Sequence, residues 1–145
     1  MSVSALKKFL KGISRPRRIV RVYRRRGGIA GTKLSYDTHK EAARALVHEK
    51  LKEWNTHYHH TYNSVAIRNQ KSRWGSCSKK GNLNFHYRLL MLPVPLLDYI
   101  IVHELCHLRE FNHSKNFWDL VAQTIPDHVA RRHALRAHSK IPLSV

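Results

Sequence analysis

Acidic side chains are scarce in this chain, which has nine Asp and Glu against 27 Lys and Arg among its 145 residues. No Asp or Glu occurs before Asp37, and the formal net charge at pH 7 is +18. This charge is unlike that of an ordinary cytosolic enzyme and favours polyanionic partners, such as nucleic acid or an anionic membrane surface. The alternative is a cationic protein whose charge serves no partner.

Cysteine and long apolar runs are also lacking. The two cysteines, Cys77 and Cys106, do not form a C-x-x-C pair, which argues against a disulfide framework and predicts a reducing, cytoplasmic location. No apolar run approaches the roughly 18 residues of a membrane-spanning helix, so we expect no membrane span. Hydrophobic residues make up 42% of the chain, enough for one domain with a modest core.

Histidine, in contrast, is abundant, and the stretch from residue 103 to 113 reads H-E-L-C-H-L-R-E-F-N-H. On a helix His103 and His107 lie one turn apart on the same face, so both imidazoles can bind one metal ion. Glu104 lies beside them, where a carboxylate can take a proton from a metal-bound water molecule and pass it to a leaving amine. The pattern therefore predicts the site of a zinc hydrolase.

A third ligand is expected at His113, six residues after His107. Asn112 is a plausible left-handed stop for the helix, after which the chain can turn and bring His113 back to the metal. Three ligands leave a fourth position open for water, as catalysis requires. The alternative is a helix whose surface histidines bind nothing.

Several segments together resemble one known family in their order and spacing. The matching segments are Arg73–Ser78 (R-W-G-S-C-S), Tyr87–Leu89, Leu97–Tyr99, H-E-L-C-H-L, Asn112–Ser114 and Phe117-Trp118. Over about Ser64 to Ile125 they are similar to the YgjP-like metallopeptidases, relatives of the SprT-type zincins. The resemblance implies an α+β fold, namely a small single-domain zincin-like fold with a β-hairpin or sheet edge over an active-site HExxH helix, plus flanking helices.

The resemblance also implies a site. One zinc ion is expected to be held by His103, His107 and His113, with Glu104 as the catalytic base and a peptide or protein as the substrate. A hydrogen-bond donor is needed for the developing oxyanion, and either Tyr87 or Arg88 is a candidate, although a structural role for each is as plausible.

The amino-terminal region is a separate basic segment, and we assign 1-36 to a basic extension and 37-145 to the metallopeptidase domain. Residues 1-14 have the apolar spacing of a short amphipathic helix. A hairpin with a cationic face is predicted after this helix. It consists of a strand of β-forming residues among arginines, a turn at Gly27-Gly28 and a return strand over Lys33–Tyr36. That face is either a DNA- or RNA-binding surface or a solvated linker. Its arginines are Arg15, Arg17, Arg18, Arg21, Arg24, Arg25 and Arg26.

The remaining elements are predicted from caps and periodicity. Thr38 with Glu41 forms a capping box that opens a helix to about His57. Ser64–Asn69 and Leu83–Leu90 alternate as strands, which we expect to pair as a hairpin, with the second strand forming the edge along which a peptide can pair. Three more helices are expected. The first starts at Pro93 and Pro95 and includes His107, the second follows Ser114, and the third runs from Asp127 to about His138. His57, His59 and His60 lack a fixed ligand spacing and are expected to face solvent rather than bind a second metal.

Two functions are therefore in view. The first is a zinc metallopeptidase that acts on proteins at nucleic acid. The second is a non-catalytic, basic nucleic-acid-binding module in which zinc is structural. The open fourth coordination position and Glu104 favour the peptidase, because structural zinc is normally closed by four ligands.

Overall fold

The computed structural model describes residues 33-138. Helix and strand predictions for residues 1-32, including the arginine-rich strand and the Gly27-Gly28 turn, lie outside them. None of the helices in the described residues is long and apolar enough to cross a membrane. The elements are α1 (Lys33–Tyr58), β1 (Ser64–Arg68), β2 (Gly75–Cys77), β3 (Asn82–His86), a 3-10 helix (Tyr87–Met91), α2 (Val94–His107), α3 (Lys115–Ala122) and α4 (His128–His138).

Helix α1 begins earlier than its capping box predicted. It starts at Lys33, so the predicted return strand over Lys33–Tyr36 is wrong and Thr38 lies inside the helix. Tertiary contacts favour this outcome, because the Tyr36 hydroxyl donates to the Ile67 carbonyl oxygen at 2.8 Å. The helix then buries a stripe at helical spacing, formed by Ala43, Val47, Leu51 and Tyr58.

The three strands form one mixed sheet in the order β1-β3-β2. β1 pairs with β3 in parallel, whereas β2 pairs with β3 in antiparallel orientation. The predicted hairpin of the first and last strands is therefore wrong, and so is the prediction that β3 is the edge. Gly75–Cys77, where the sequence indicated no strand, form an edge strand beside β3 instead.

The strand predicted over Leu83–Leu90 ends at His86. There the chain enters the 3-10 helix, and the His86 Nδ1 atom accepts a hydrogen bond from the Arg88 backbone N–H at 3.0 Å. The apolar alternation continues to Leu89, but Tyr87 and Leu89 are buried from the 3-10 helix rather than from a strand.

Helix α2 is the centre of the fold and contacts α1, α3, α4 and β2. Eleven of its residues are buried, because it is apolar on nearly every side. One ion pair ties it to α1, since the Asp98 carboxylate accepts from Lys50 Nζ at 3.1 Å and from Trp54 Nε1 at 3.1 Å. The predicted α+β class with a sheet edge beside the HExxH helix is thus confirmed.

Candidate active site

Three imidazoles meet at the carboxyl end of α2. The Nε2 atom of His107 lies 3.1 Å from that of His103 and 3.1 Å from that of His113, and the remaining pair lies 3.2 Å apart. In the part of the chain that the structure describes, this is the one group of His, Cys, Asp or Glu side chains that converges well enough to hold a metal ion. His57, His59 and His60 do not form such a group.

The turn after α2 brings His113 back. Arg109 and Glu110 both donate their backbone N–H groups to the Cys106 carbonyl oxygen, at 3.1 and 2.9 Å. Among the described residues other than glycine, only His59 has a positive φ, so the predicted left-handed stop at Asn112 is wrong. The helix α3 that follows has Ser114 at its N-cap position, as predicted, although its side chain makes no capping hydrogen bond.

The orientation of His107 is fixed by one hydrogen bond. Its Nδ1 atom lies 2.9 Å from the Glu110 carbonyl oxygen, which can only accept. His107 therefore carries its proton on Nδ1 when neutral, and its Nε2 lone pair faces the other two rings. Such a contact on the outer nitrogen is typical of histidines that bind metals.

One aromatic ring packs against all three imidazoles. The Phe117 ring centroid lies 4.9 Å from that of His103, 4.5 Å from that of His107 and 4.8 Å from that of His113. Phe117 is completely buried, so this apolar wall limits the rotation of the three rings.

The three histidines are neutral at pH 7. Burial lowers the pKa of His103 well below its ordinary value, and the neighbouring His107 and His113 lower it further. Burial also lowers the pKa of His107, despite its bond to the Glu110 carbonyl. The pKa of His113 falls for the same first reason, and the charges of His107 and Arg132 add to the effect. Three lone pairs are therefore available at one point.

Glu104 lies beside this cluster and is 5% exposed. Burial raises the pKa of its carboxyl group to about 8, while the nearby charge of Arg73 lowers it. Its Oε2 atom has no hydrogen-bond partner among the described residues. A buried carboxylate oxygen left without a partner costs free energy, which points to a proton or a ligand at this position.

Strand β2 lies directly against Glu104. A Cβ atom at Gly75 would stand 2.7 Å from the Glu104 Oε1 atom and 2.8 Å from its Cγ atom. Gly75 has no positive φ, so the position requires glycine for space and not for backbone conformation. The absence of a side chain allows the strand to close over the carboxylate.

Within the described residues, the outer edge of β2 presents backbone groups that no other strand pairs with. Bonds from the His86 N–H to the Trp74 carbonyl and from the Ser78 N–H to the Asn82 carbonyl flank the ladder, at 2.8 and 3.0 Å. Because bonded and non-bonded pairs alternate in an antiparallel ladder, the N–H and C=O groups of Gly75 and Cys77 point away from β3. In the described sheet, no strand covers that edge.

A cleft runs between β2 and the histidines. Its lining brings together the three histidines and Glu104 with residues that carried no predicted chemistry, namely Arg73, Gly75, Ser76, Cys77 and Phe111. The sequence signal for β2 was the R-W-G-S-C-S segment, which carried the resemblance but does not itself indicate which side chains face the site. Burial raises the pKa of the Cys77 thiol to about 11, and the Glu104 charge adds to this rise.

The other predicted site residues lie elsewhere. Tyr87 is completely buried, and neither Tyr87 nor Arg88 lines the cleft. The Arg88 Nε atom instead donates to the Tyr87 hydroxyl at 3.3 Å, so the two candidates for the oxyanion donor contact each other away from the histidines. The arginines from Arg15 to Arg26 lie outside the described residues.

Comparison with known proteins gives two matches. The family model for the YgjP-like metallopeptidase domain matches residues 18-138. The crystal structure of the metallopeptidase zymogen of Pyrococcus abyssi abylysin is similar in fold, with a TM-score of 0.62 and 23% sequence identity, over 67% of this chain and 98% of that chain. No curated protein matches the chain.

Proposed function

Because the chain belongs to the YgjP-like metallopeptidase family, we propose that it is a zinc-dependent peptidase with His103, His107 and His113 as the metal ligands and Glu104 as the catalytic base. The observation that carries this proposal is the convergence of three neutral imidazoles within 3.2 Å of one another, beside a buried carboxylate. Family membership gives the class of reaction, and this cluster supplies residues suited to it.

The donor set fits a zinc ion. Two ligands of a tetrahedral ion, at metal-nitrogen distances of 2.0-2.1 Å, lie about 3.3 Å from each other, and the Nε2 atoms here are 3.1 to 3.2 Å apart. Neutral imidazole nitrogen is a preferred ligand of zinc. Hydrogen bonds alone do not account for three adjacent nitrogen lone pairs, whereas one cation satisfies all of them.

The proposed reaction divides its tasks between the ion and the chain. A zinc ion in this site supplies Lewis acidity, which acidifies water and polarises a peptide carbonyl. Glu104 accepts the proton of the attacking water molecule on its free Oε2 atom and later delivers it to the leaving nitrogen. The raised pKa of Glu104, about 8 without a metal, favours the second transfer, while a nearby cation and Arg73 favour the carboxylate needed for the first.

Strand β2 is the proposed binding edge for the substrate. The outward N–H and C=O groups of Gly75 and Cys77 can pair with an extended peptide, as in strand addition. Because Gly75 also contacts Glu104, a peptide on this edge would lie next to the base. Pairing of this kind reads the backbone, so it demands an unfolded stretch rather than a particular sequence.

The alternative of a structural zinc ion is less well supported. Structural sites normally have four protein ligands, but only three donors converge among the described residues. Cys77 lines the same cleft and is not part of the converging group. The three ligands also lie in an open cleft, where a substrate can reach them.

The experiment that tests the proposal compares the zinc-loaded full chain with two variants on an unfolded, fluorescently quenched protein. Glu104→Gln should retain zinc and lose about 10²- to 10⁴-fold in turnover, because general base catalysis is removed. Glu49→Gln is the matched control, since Glu49 is exposed on α1 and should leave turnover unchanged. Cleavage by Glu104→Gln at the wild-type rate would refute the mechanism.

Nucleic-acid association is a second proposal, favoured by the net charge of +18. The expected partner is DNA or RNA, bound through the arginines from Arg15 to Arg26, and it would bring the peptidase to proteins on nucleic acid. Phosphate contacts release counterions, so the binding constant should fall steeply as salt is added. A binding constant that does not change with salt, or no binding at low salt, would contradict this proposal and leave the peptidase proposal standing.

A further inference from the structure

Arg73 is the one permanently charged base among the described residues that line the cleft. Its side chain is exposed. Its neighbour in the chain, Trp74, is 3% exposed, and the Trp74 carbonyl oxygen accepts a hydrogen bond from the His86 N–H at 2.8 Å. The backbone next to Arg73 is therefore held to the sheet, while the exposed side chain of Arg73 borders the cleft.

Arg73 has no carboxylate partner in the described residues. All nine acidic residues of the chain lie between Asp37 and Asp127, so the segments outside residues 33-138 contain no Asp or Glu. Six of the nine form ion pairs with other bases, namely Asp37, Glu41, Glu53, Asp98, Asp119 and Asp127.

The remaining acidic residues do not pair with Arg73 either. Glu49 and Glu110 do not line the cleft. Glu104 feels the charge of Arg73, but its Oε2 atom makes no hydrogen bond, and no ion pair joins the two residues in the described part of the chain. Arg73 therefore lines the cleft without an acidic partner among the described residues.

We infer that Arg73 binds a carboxylate group of the peptide substrate. The inference rests on the proposed function in taking the cleft as a peptide site. A guanidinium group offers two parallel N–H donors that match the two oxygens of a carboxylate. The carboxylate comes either from an Asp or Glu side chain or from the carboxyl terminus of the peptide.

The position of Arg73 limits where that carboxylate lies. Arg73 precedes Gly75 by two residues, and Gly75 is the point at which β2 contacts Glu104. A peptide paired with the β2 edge would therefore place its acidic group within a few residues of the scissile bond. Phe111, which is 44% exposed and lines the same cleft, offers an apolar surface beside it.

The test measures peptide binding without hydrolysis. The full chain carrying Glu104→Gln is loaded with one equivalent of Zn²⁺, and fluorescence anisotropy gives the Kd of labelled peptides. A reference peptide with glutamine and an amidated carboxyl terminus is compared with two sets of probes. In the first set, glutamate replaces one residue of the reference peptide at a time. In the second set, the reference peptide keeps its sequence but has a free carboxyl terminus.

The expected result is that one of these acidic probes binds about three- to tenfold more tightly than the reference, as for a partly exposed, bidentate ion pair. In the additional variant Arg73→Gln the preference should shrink to within about twofold, and Arg73→Lys should retain part of it. Lys71→Gln is the matched control, because Lys71 is exposed two residues away and does not line the cleft. It should retain the full preference.

Equal affinities for all probes, no measurable binding, or a preference that survives Arg73→Gln would each overturn the inference. Hydrolysis of the same peptides by the chain with Glu104 intact is measured separately. Arg73-dependent binding without hydrolysis would contradict the proposed peptidase alone, whereas hydrolysis with no dependence on Arg73 would contradict this inference alone.

Discussion

The close contact between Gly75 and Glu104 leads to a quantitative prediction for Gly75→Ala. The new Cβ atom would stand 2.7 Å from Oε1 and 2.9 Å from Cδ of Glu104, where ordinary contacts begin at 3.4 Å. Strand and carboxylate would have to separate by roughly 0.7 Å, and overpacking of this size costs about 1-3 kcal/mol. A displacement near 1 Å in a catalytic group lowers turnover up to about 100-fold.

A double-mutant cycle isolates this contact. The free energy of unfolding of the metal-free protein is measured by urea denaturation for Gly75→Ala, for Glu104→Ala and for both together. With the Glu104 side chain removed, the added methyl group has room. Gly75→Ala should then be neutral or stabilising by about 0.4-1 kcal/mol, because alanine restricts the unfolded chain.

The reasoning is refuted if Gly75→Ala has the same effect with and without the Glu104 side chain. Zinc affinity provides the control, because Gly75 is not among the converging ligands and its replacement should leave that affinity within about threefold. A joint loss of zinc binding and turnover would show that the whole site had moved, rather than the carboxylate alone.

Three further predictions concern the ligands, the sheet and the packing of α1. His107→Ala should abolish the rise in unfolding midpoint that zinc gives the wild-type protein, because a ligand binding only the native state stabilises it; a chelator should reverse the wild-type rise. Burial lowers the pKa of His86 to about 4, so the unfolded state takes up a proton below about pH 6.5 while the native state does not. The free energy of unfolding should then fall by up to about 1.4 kcal/mol per pH unit between about pH 6.5 and 4, and His86→Asn should remove this part of the slope. Trp54→Phe should cost about 1 kcal/mol in urea denaturation, because Asp98 loses one of its donors and keeps Lys50; an unchanged midpoint would mean that water replaces the indole.

The HExxH helix could be predicted because its information is local. The spacing of His103 and His107 fixes a common face on any helix, and the apolar residues around them predict a buried one. His113 also followed from spacing, although the turn that returns it uses hydrogen bonds to the Cys106 carbonyl instead of a left-handed Asn112. The return of His113 toward the other two histidines was therefore predicted, but the conformation of the turn was not.

The sheet was harder to predict because its pairing is not local. Parallel pairing of β1 with β3 brings Ser64 opposite Asn82, and neither strand contains a signal for a parallel partner. The three residues of β2 show no alternation of apolar and polar types, so their sequence is typical of a loop. The roles suggested for Gly75 and Arg73 depend on that pairing, which is why neither residue was assigned chemistry from the sequence.

The start of α1 shows a local signal overridden by packing. Thr38 and Glu41 have the spacing of a capping box, yet the helix already includes both. Tyr36 packs its ring against that of Tyr87, with centroids 5.7 Å apart, in addition to its bond to Ile67. Contacts with residues more than thirty positions away thus extend the helix beyond its apparent cap.

Because β2 has only three residues, it limits the length of peptide that could pair with its edge. An edge of three residues with two outward-facing positions can engage only a short stretch of a partner, on the order of 7 Å between the two contacts. A surface loop of an otherwise folded target could supply so short a stretch, so the whole target need not unfold first. So short an edge also yields few backbone hydrogen bonds, so a target would have to be selected by the accessibility and mobility of its loop, together with the acidic group that Arg73 is proposed to bind.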